Sequence, residues 1–276
     1  MFENILGHER EKKILMEDIE ANAISHAYAF CGPKGIGKRT LAQEFAKTIL
    51  KTDNLASNTD YTYVSRIVDK KDIMVGQVRE NVIDNIYIRP AMADYKVYIV
   101  DEADTLNIQA QNALLKTLEE PPSYVVIILI TESMQSFLPT IISRVKEIKF
   151  NVLGREHIDN YLRNNHLDKN ISSNMLNYIN GSLGKLELIC TEEEIECFQN
   201  MEKIAKLAKE KNSLEIIKRL DKISFKNTSA LNYLQHILFS ENMSSKVFLI
   251  ENVKKRLYQN GNEDIIKTKL AIDICR

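Results

Sequence analysis

One short string limits what this chain can fold into more than any other: Gly32-Pro-Lys-Gly-Ile-Gly-Lys38, set between an apolar run and an amphipathic one. The run before it, Ala27-Tyr-Ala-Phe-Cys31, reads as a strand. The stretch from about Lys38 places Leu41, Ala42, Phe45, Ala46, Ile49 and Leu50 on one helical face. A glycine-rich turn between a strand and a helix lets the backbone wrap closely and aim N–H groups at an anion. The helix N-terminus adds the positive end of its dipole. The spacing is the G-x-x-x-x-G-K of a phosphate loop, with Gly32, Pro33, Lys34, Gly35, Ile36, Gly37 and Lys38 forming the cradle. Lys38 would reach the β- and γ-phosphates of ATP or ADP.

The position after Lys38 departs from the pattern. A Ser or Thr hydroxyl there would hold Mg²⁺, but this chain has Arg39, and the hydroxyl comes one residue later at Thr40. On a helix that shift is a rotation of about 100°, so Thr40 cannot simply replace the lost ligand. The cradle remains for ATP or ADP, while the Mg²⁺ set of Thr40 and Asp101 is incomplete.

A second apolar strand, Lys96-Val-Tyr-Ile-Val100, ends in Asp101-Glu102. Behind a phosphate loop, such an Asp supports Mg²⁺ and the Glu polarises the attacking water. The tetrapeptide Asp101-Glu-Ala-Asp104 also spells a helicase signature. Those helicases carry a second α/β half, of which nothing after residue 150 shows a pattern. Asn107 to Glu119 reads as a helix stopped by Pro121-Pro122. Tyr124 to Thr131 is near-continuously apolar, as in a sheet covered on both faces. Val75 to Ile86 is a further amphipathic stretch. Strands alternating with helices predict βαβ units around a parallel sheet. After Phe150 only helical patterns follow. The expected division is therefore an α/β core over 1–150, a small helical lid over 151–191 and a helical collar, or oligomerisation domain, over 192–276.

Composition narrows the function classes. Thirty-seven Lys+Arg balance 38 Asp+Glu, for a formal net charge of −1. That argues against a stand-alone binder of nucleic acid driven by phosphate neutralisation, though not against DNA contact within an assembly. No apolar run is long enough to span a membrane, and the charged N-terminus lacks a signal-peptide core, so a cytoplasmic protein is expected. Cysteines at 31, 190, 197 and 275 show no C-x-x-C spacing and read as reduced, buried thiols.

The string Asn107-Ile-Gln-Ala-Gln-Asn-Ala-Leu-Leu-Lys-Thr-Leu-Glu-Glu-Pro-Pro122 resembles the clamp-loader branch of the AAA+ ATPases. So do Ser25-His-Ala-Tyr-Ala-Phe30 and Ile73-Met-Val-Gly-Gln-Val-Arg79, and Ser143-Arg144-Val145 stands where that family has Ser-Arg-Cys. Within the branch the chain is most similar to the delta-prime subunits of bacterial DNA polymerase III. Arg39 in place of the hydroxyl and Gly184 in place of a sensor arginine in Gly181-Ser-Leu-Gly184 both point that way. The resemblance implies a largely non-hydrolysing stator in a hetero-pentameric ring with gamma/tau and delta subunits. The ring would open a sliding clamp and place it on primed DNA. Arg144 would act as a finger in trans on a neighbour's ATP, Glu102 would be the residual acid in cis, and Thr131 would resemble the family's sensor 1. Many relatives hold a four-cysteine zinc module between the two nucleotide motifs. Residues 41–96 contain no cysteine, so no zinc is expected and Asp53 to Tyr61 reads as a simple loop. The alternatives are an active AAA+ ATPase, such as a divergent gamma/tau-like motor or related loader, and a nucleotide-binding scaffold without a replication role.

Overall fold

The computed structural model describes residues 2, 5–67, 70–167, 170–189, 191–225 and 228–276. Five parallel strands, β1 (Ala27–Cys31), β2 (Tyr61–Val64), β3 (Lys96–Val100), β4 (Val125–Thr131) and β5 (Lys146–Lys149), lie in the order β2-β3-β4-β1-β5. Every residue of β1, β3 and β4 is buried. That follows from helices covering both faces of a parallel sheet. On one side pack Leu41, Phe45 and Ile49 of α2 (Lys38–Leu50), together with Leu15 of α1 (Glu9–Glu20). On the other pack Val78 of α3 (Val75–Asn81) and Ala110, Leu114 and Leu118 of α4 (Ile108–Glu119).

The predicted α/β core with helices after it is the fold observed, and the helical stripe read for α2 is its buried face. Asn107 starts α4 as predicted, its side chain accepting from the N–H of Ala110. The stretch Val75 to Ile86 is α3 followed by a separate 3₁₀ turn over Ile83–Asn85. Two strands escaped the pattern. β2 has four residues, three of them half-buried, and three of the four residues of β5 are charged. Both are edge strands, which carry little of the apolar signal and protect themselves with charge. The 53–61 stretch is more than a loop. It holds a 3₁₀ turn, Leu55–Ser57, capped by Asn54, and ends on Asp60, a buried carboxylate that gathers three backbone N–H groups. A short α5 (Pro139–Ile142) lies between β4 and β5.

Cα proximity divides the chain into two units: Met1–Ile158 with Gly181–Gly184, and Asp159–Asn180 with Lys185–Arg276. The second is helical. α6 (Arg155–Asn164) and α8 (Leu183–Glu187) straddle the division, and α7 (Ser173–Ile179), α9 (Glu192–Lys209), α10 (Ser213–Leu220), α11 (Ser229–Ser240), α12 (Ser244–Tyr258) and α13 (Glu263–Ile274) lie within it. Its centre is aromatic: Phe198 stacks on Tyr233 with ring centroids 4.4 Å apart, and Tyr178 meets Tyr233 edge-on at 5.2 Å. Tyr233 is thus core, whereas Phe239, Phe248 and Tyr258 on α11 and α12 are at least two-thirds exposed. Among the described residues no helix is long and apolar enough to cross a membrane. Cys31, Cys197 and Cys275 are free thiols; Cys190 lies outside the described residues.

Candidate functional site

The sheet order brings the ends of β1, β4 and β3 side by side at its carboxyl edge, where ligands of open α/β sheets bind. Gly32 leaves β1 with its N–H donating to the carbonyl of Thr131 at the end of β4. The loop then turns through Gly35 (φ +76°) and Gly37 (φ +98°), left-handed conformations that glycine adopts without a Cβ clash. Gly37 hands the chain to α2. Lys38 is buried, and its ammonium donates to the carbonyls of Gly32 and Pro33, the latter at 2.7 Å. Burial pushes its pKa below the usual lysine range.

Two contacts brace this loop, and neither was visible in the sequence. His8, buried at the start of α1, shares a hydrogen bond of 2.7 Å with the carbonyl of Ile36 and stands edge-on to Phe150. Gly184 donates its N–H to the carbonyl of Gly35 at 2.7 Å, and Ser182 Oγ donates to the same oxygen at 3.2 Å. A Cβ on Gly184 would stand 3.1 Å from the Gly35 Cα. The position where the resemblance implies a phosphate-sensing arginine therefore packs as bare backbone against the loop.

The acidic pair is answered by the chain's own cations. Asp101 Oδ2 accepts the Tyr63 hydroxyl at 2.7 Å and lies 3.6 Å from Arg39 Nη1, while Oδ1 accepts the backbone N–H of Glu102 at 2.9 Å. Arg39 also donates to the Tyr63 oxygen at 3.1 Å. Burial, together with the bond to Asp101, pushes the Tyr63 hydroxyl up to about 12. Glu102 sits in the left-handed region at φ 50°, a strained placement for a residue with a Cβ. Its Oε1 accepts from Lys34 Nζ at 2.9 Å and its Oε2 from Arg66 Nε at 3.1 Å. The hydrogen bond from Lys34 leads in holding its carboxyl below the ordinary carboxylate range. A carboxylate whose pKa is lowered is a weaker base towards water. Tyr63 and Arg66 were missed in the sequence because the strand that carries them to the site, β2, was missed. The Arg39 guanidinium thus faces Asp101. Thr40 is exposed on α2.

Thr131 ends β4 with its hydroxyl donating to the Ser133 carbonyl at 3.0 Å, so in this structure it closes the following turn. Arg144 follows α5. Its Nη1 donates to the Thr140 carbonyl at 2.8 Å, and Nη2 pairs with Glu119 Oε1 at 2.9 Å. The Arg144 side chain keeps one-third of its surface exposed. Glu119, the last residue of α4, is thus the partner of Arg144. Among the described residues no cluster of three or more His, Cys, Asp or Glu side chains is placed to hold a metal ion.

The model of the family described as DNA polymerase III, delta subunit, matches residues 7–154, more than half of the chain. The chain belongs to that family. Relatives of this delta-family chain include DNA polymerase III subunit gamma of Buchnera aphidicola subsp. Schizaphis graminum (strain Sg), 31% identical over 204 residues, covering 66% of this chain and 55% of that one. Another is subunit tau of Bacillus subtilis (strain 168), 36% identical over 162 residues, covering 54% and 29%. The chain thus spans about half the length of the first and less than a third of the second. Among solved structures, a DNA polymerase III gamma subunit-related protein of Thermotoga maritima superposes with a TM-score of 0.57 at 19% identity, covering 97% of this chain and all of that one. A RuvB variant of the same organism gives 0.50 at 14% identity, covering 95% and 85%. These are likenesses of fold.

Proposed function

We propose that this chain acts as a delta-prime-type subunit of a replicative clamp loader. It would be a stator in a hetero-pentameric ring with gamma/tau and delta subunits, which loads a sliding clamp on primed DNA. One observation carries the reading. The two carboxylates that an ATPase needs for metal and water are both taken up by Arg39, Tyr63, Lys34 and Arg66, while Arg144 holds a partly exposed guanidinium at the end of α5. Membership of a DNA polymerase III family supports the setting. A guanidinium set beside a neighbour's γ-phosphate stabilises the charge that redistributes in the transition state. Its pairing with Glu119 is no obstacle. A surface ion pair of this exposure is worth about 0–1 kcal/mol, less than a bidentate bond to phosphate.

The test is the DNA- and clamp-stimulated ATPase of the reconstituted ring. An arginine finger is worth roughly 10³–10⁵ at the site it serves, so Arg144→Ala removes the turnover of one neighbouring site, and Lys38→Ala changes the total little. The reverse pattern rejects the stator.

A second reading, an active ATPase, is favoured by the gamma and tau relatives and by the presence of Lys38, Asp101 and Glu102 together. Nucleotide turnover by the purified chain, with or without DNA, decides for it. A stator shows essentially none.

A further inference from the structure

The family implies Mg²⁺ at this site, and the residues present do not fit it. Magnesium binds oxygen ligands in near-octahedral geometry at about 2.0–2.1 Å. Of the donors that would supply them, the hydroxyl position is Arg39, and Thr40 stands about 100° further round the helix. Asp101 is engaged at both oxygens: Oδ2 is shared between Tyr63 and Arg39, and Oδ1 receives the Glu102 N–H. Glu102 is likewise occupied at both oxygens. A divalent ion arriving at Asp101 would meet a guanidinium 3.6 Å from the carboxylate it needs, and like charges at that range repel.

The same arrangement offers something in the metal's stead. Arg39 is permanently charged, and its side chain is 60% exposed at the first turn of α2, beside the turn that presents the loop's N–H groups. A guanidinium carries five donors in a planar fork that matches phosphate oxygens. Arg39 adds one fixed positive charge at the mouth of the cradle to that of the buried Lys38, half the formal charge that Mg²⁺ would bring. Tyr63 and Asp101 hold the guanidinium from one side, which orients it without saturating its donors.

We infer that this loop takes a nucleoside di- or triphosphate without a divalent ion, with Arg39 occupying the metal's place between Asp101 and the phosphates. The inference rests on reading Gly32–Lys38 as a phosphate cradle. It is independent of whether Arg144 serves a neighbour.

Calorimetric titration of ADP and ATP into the full chain, in excess MgCl₂ and in excess EDTA, tests it. The wild type is expected to bind with dissociation constants that agree within about threefold between the two conditions. Arg39→Thr, which restores a hydroxyl, is expected to lose about tenfold or more in EDTA and to regain part of that with MgCl₂. Arg39 is exposed, so the variant should fold, and its far-UV CD melt confirms that it has. Wild-type binding that MgCl₂ tightens tenfold or more, an Arg39→Thr variant unchanged in EDTA, or a wild type that binds no nucleotide in either condition overturns the inference. If the isolated chain binds nothing while Arg144→Ala still slows the ring, the metal-free cradle falls and the stator stands. If the chain binds without metal and Arg144→Ala is silent, the reverse holds.

Discussion

Asp60 offers a calculation that the structure allows in some detail. The residue is 2% exposed. Oδ1 accepts the N–H of Ala91 at 2.8 Å, and Oδ2 accepts those of Met92 at 2.7 Å and Ala93 at 3.0 Å. Its carbonyl accepts the N–H of Val97, so the residue ties the 91–93 turn to the start of β3. In Asp60→Asn one oxygen becomes an NH₂ group. The better rotamer keeps Met92 and Ala93 bonded and leaves the Ala91 N–H facing another donor. An orphaned buried donor costs about 1–3 kcal/mol, and two bonds lose their charge assistance, roughly halving them. The sum is about 3 kcal/mol. For a unit of this size, that lowers the melting temperature by about 6–12 °C. The chain has no tryptophan, so far-UV CD follows the melt, and hydrogen exchange at Ala91, Met92 and Ala93 reports the site itself. The pH dependence has a definite sign. Burial alone would raise this carboxyl, but the three N–H groups override it and hold the pKa below the ordinary value. A group depressed in the folded state stabilises above its unfolded pKa, about 4, and loses that contribution as pH falls through the folded value. The gap between wild type and Asp60→Asn should therefore be full at neutral pH and narrow below about pH 4. A variant within 1 kcal/mol of wild type at pH 7, or unchanged exchange at 91–93, would refute the reasoning.

Other substitutions probe other parts of the framework. The Tyr28 hydroxyl receives the Ser25 N–H at 2.9 Å and donates to Asp18 at 2.8 Å, linking β1 to α1. Tyr28→Phe orphans a backbone donor and should cost about 1–3 kcal/mol in urea titration; a shift under 0.5 kcal/mol would mean water takes over both bonds. In the helical unit, Phe198→Ala empties the centre of the aromatic cluster. It should remove about 3–5 kcal/mol from that unit, seen as loss of exchange protection on α9 and α11 with the β-sheet amides unchanged. Equal loss in both units would contradict a core private to the helices.

How much of this was legible beforehand follows from range. The Ser25-to-Phe30 string carried its reason within itself, since Ser25 and Tyr28 bond each other across three residues. The glycine-rich loop, α2, β3 with its acids, and α4 were all readable for the same cause. Each is specified by neighbours within a turn or two, through apolar periodicity, glycine and proline. The 53–61 stretch was not. Its order depends on a carboxylate whose partners lie some 30 residues away.

The sequence by itself determined that a glycine-rich turn of phosphate-loop spacing joins a strand to a helix and that Arg39 stands at the hydroxyl position after its lysine, because both are matters of which residue follows which. Only the tertiary structure decided what the acids do instead. Tyr63 and Arg66 reach Asp101 and Glu102 because β2 pairs with β3 at the sheet edge, and Gly184 closes on Gly35 across a separation of 149 residues (184 − 35). Arg144 meets Glu119 because α4 and α5 pack on the same face. Such pairings depend on strand order and helix packing, which minimise the free energy of the whole chain and leave no local periodicity to read.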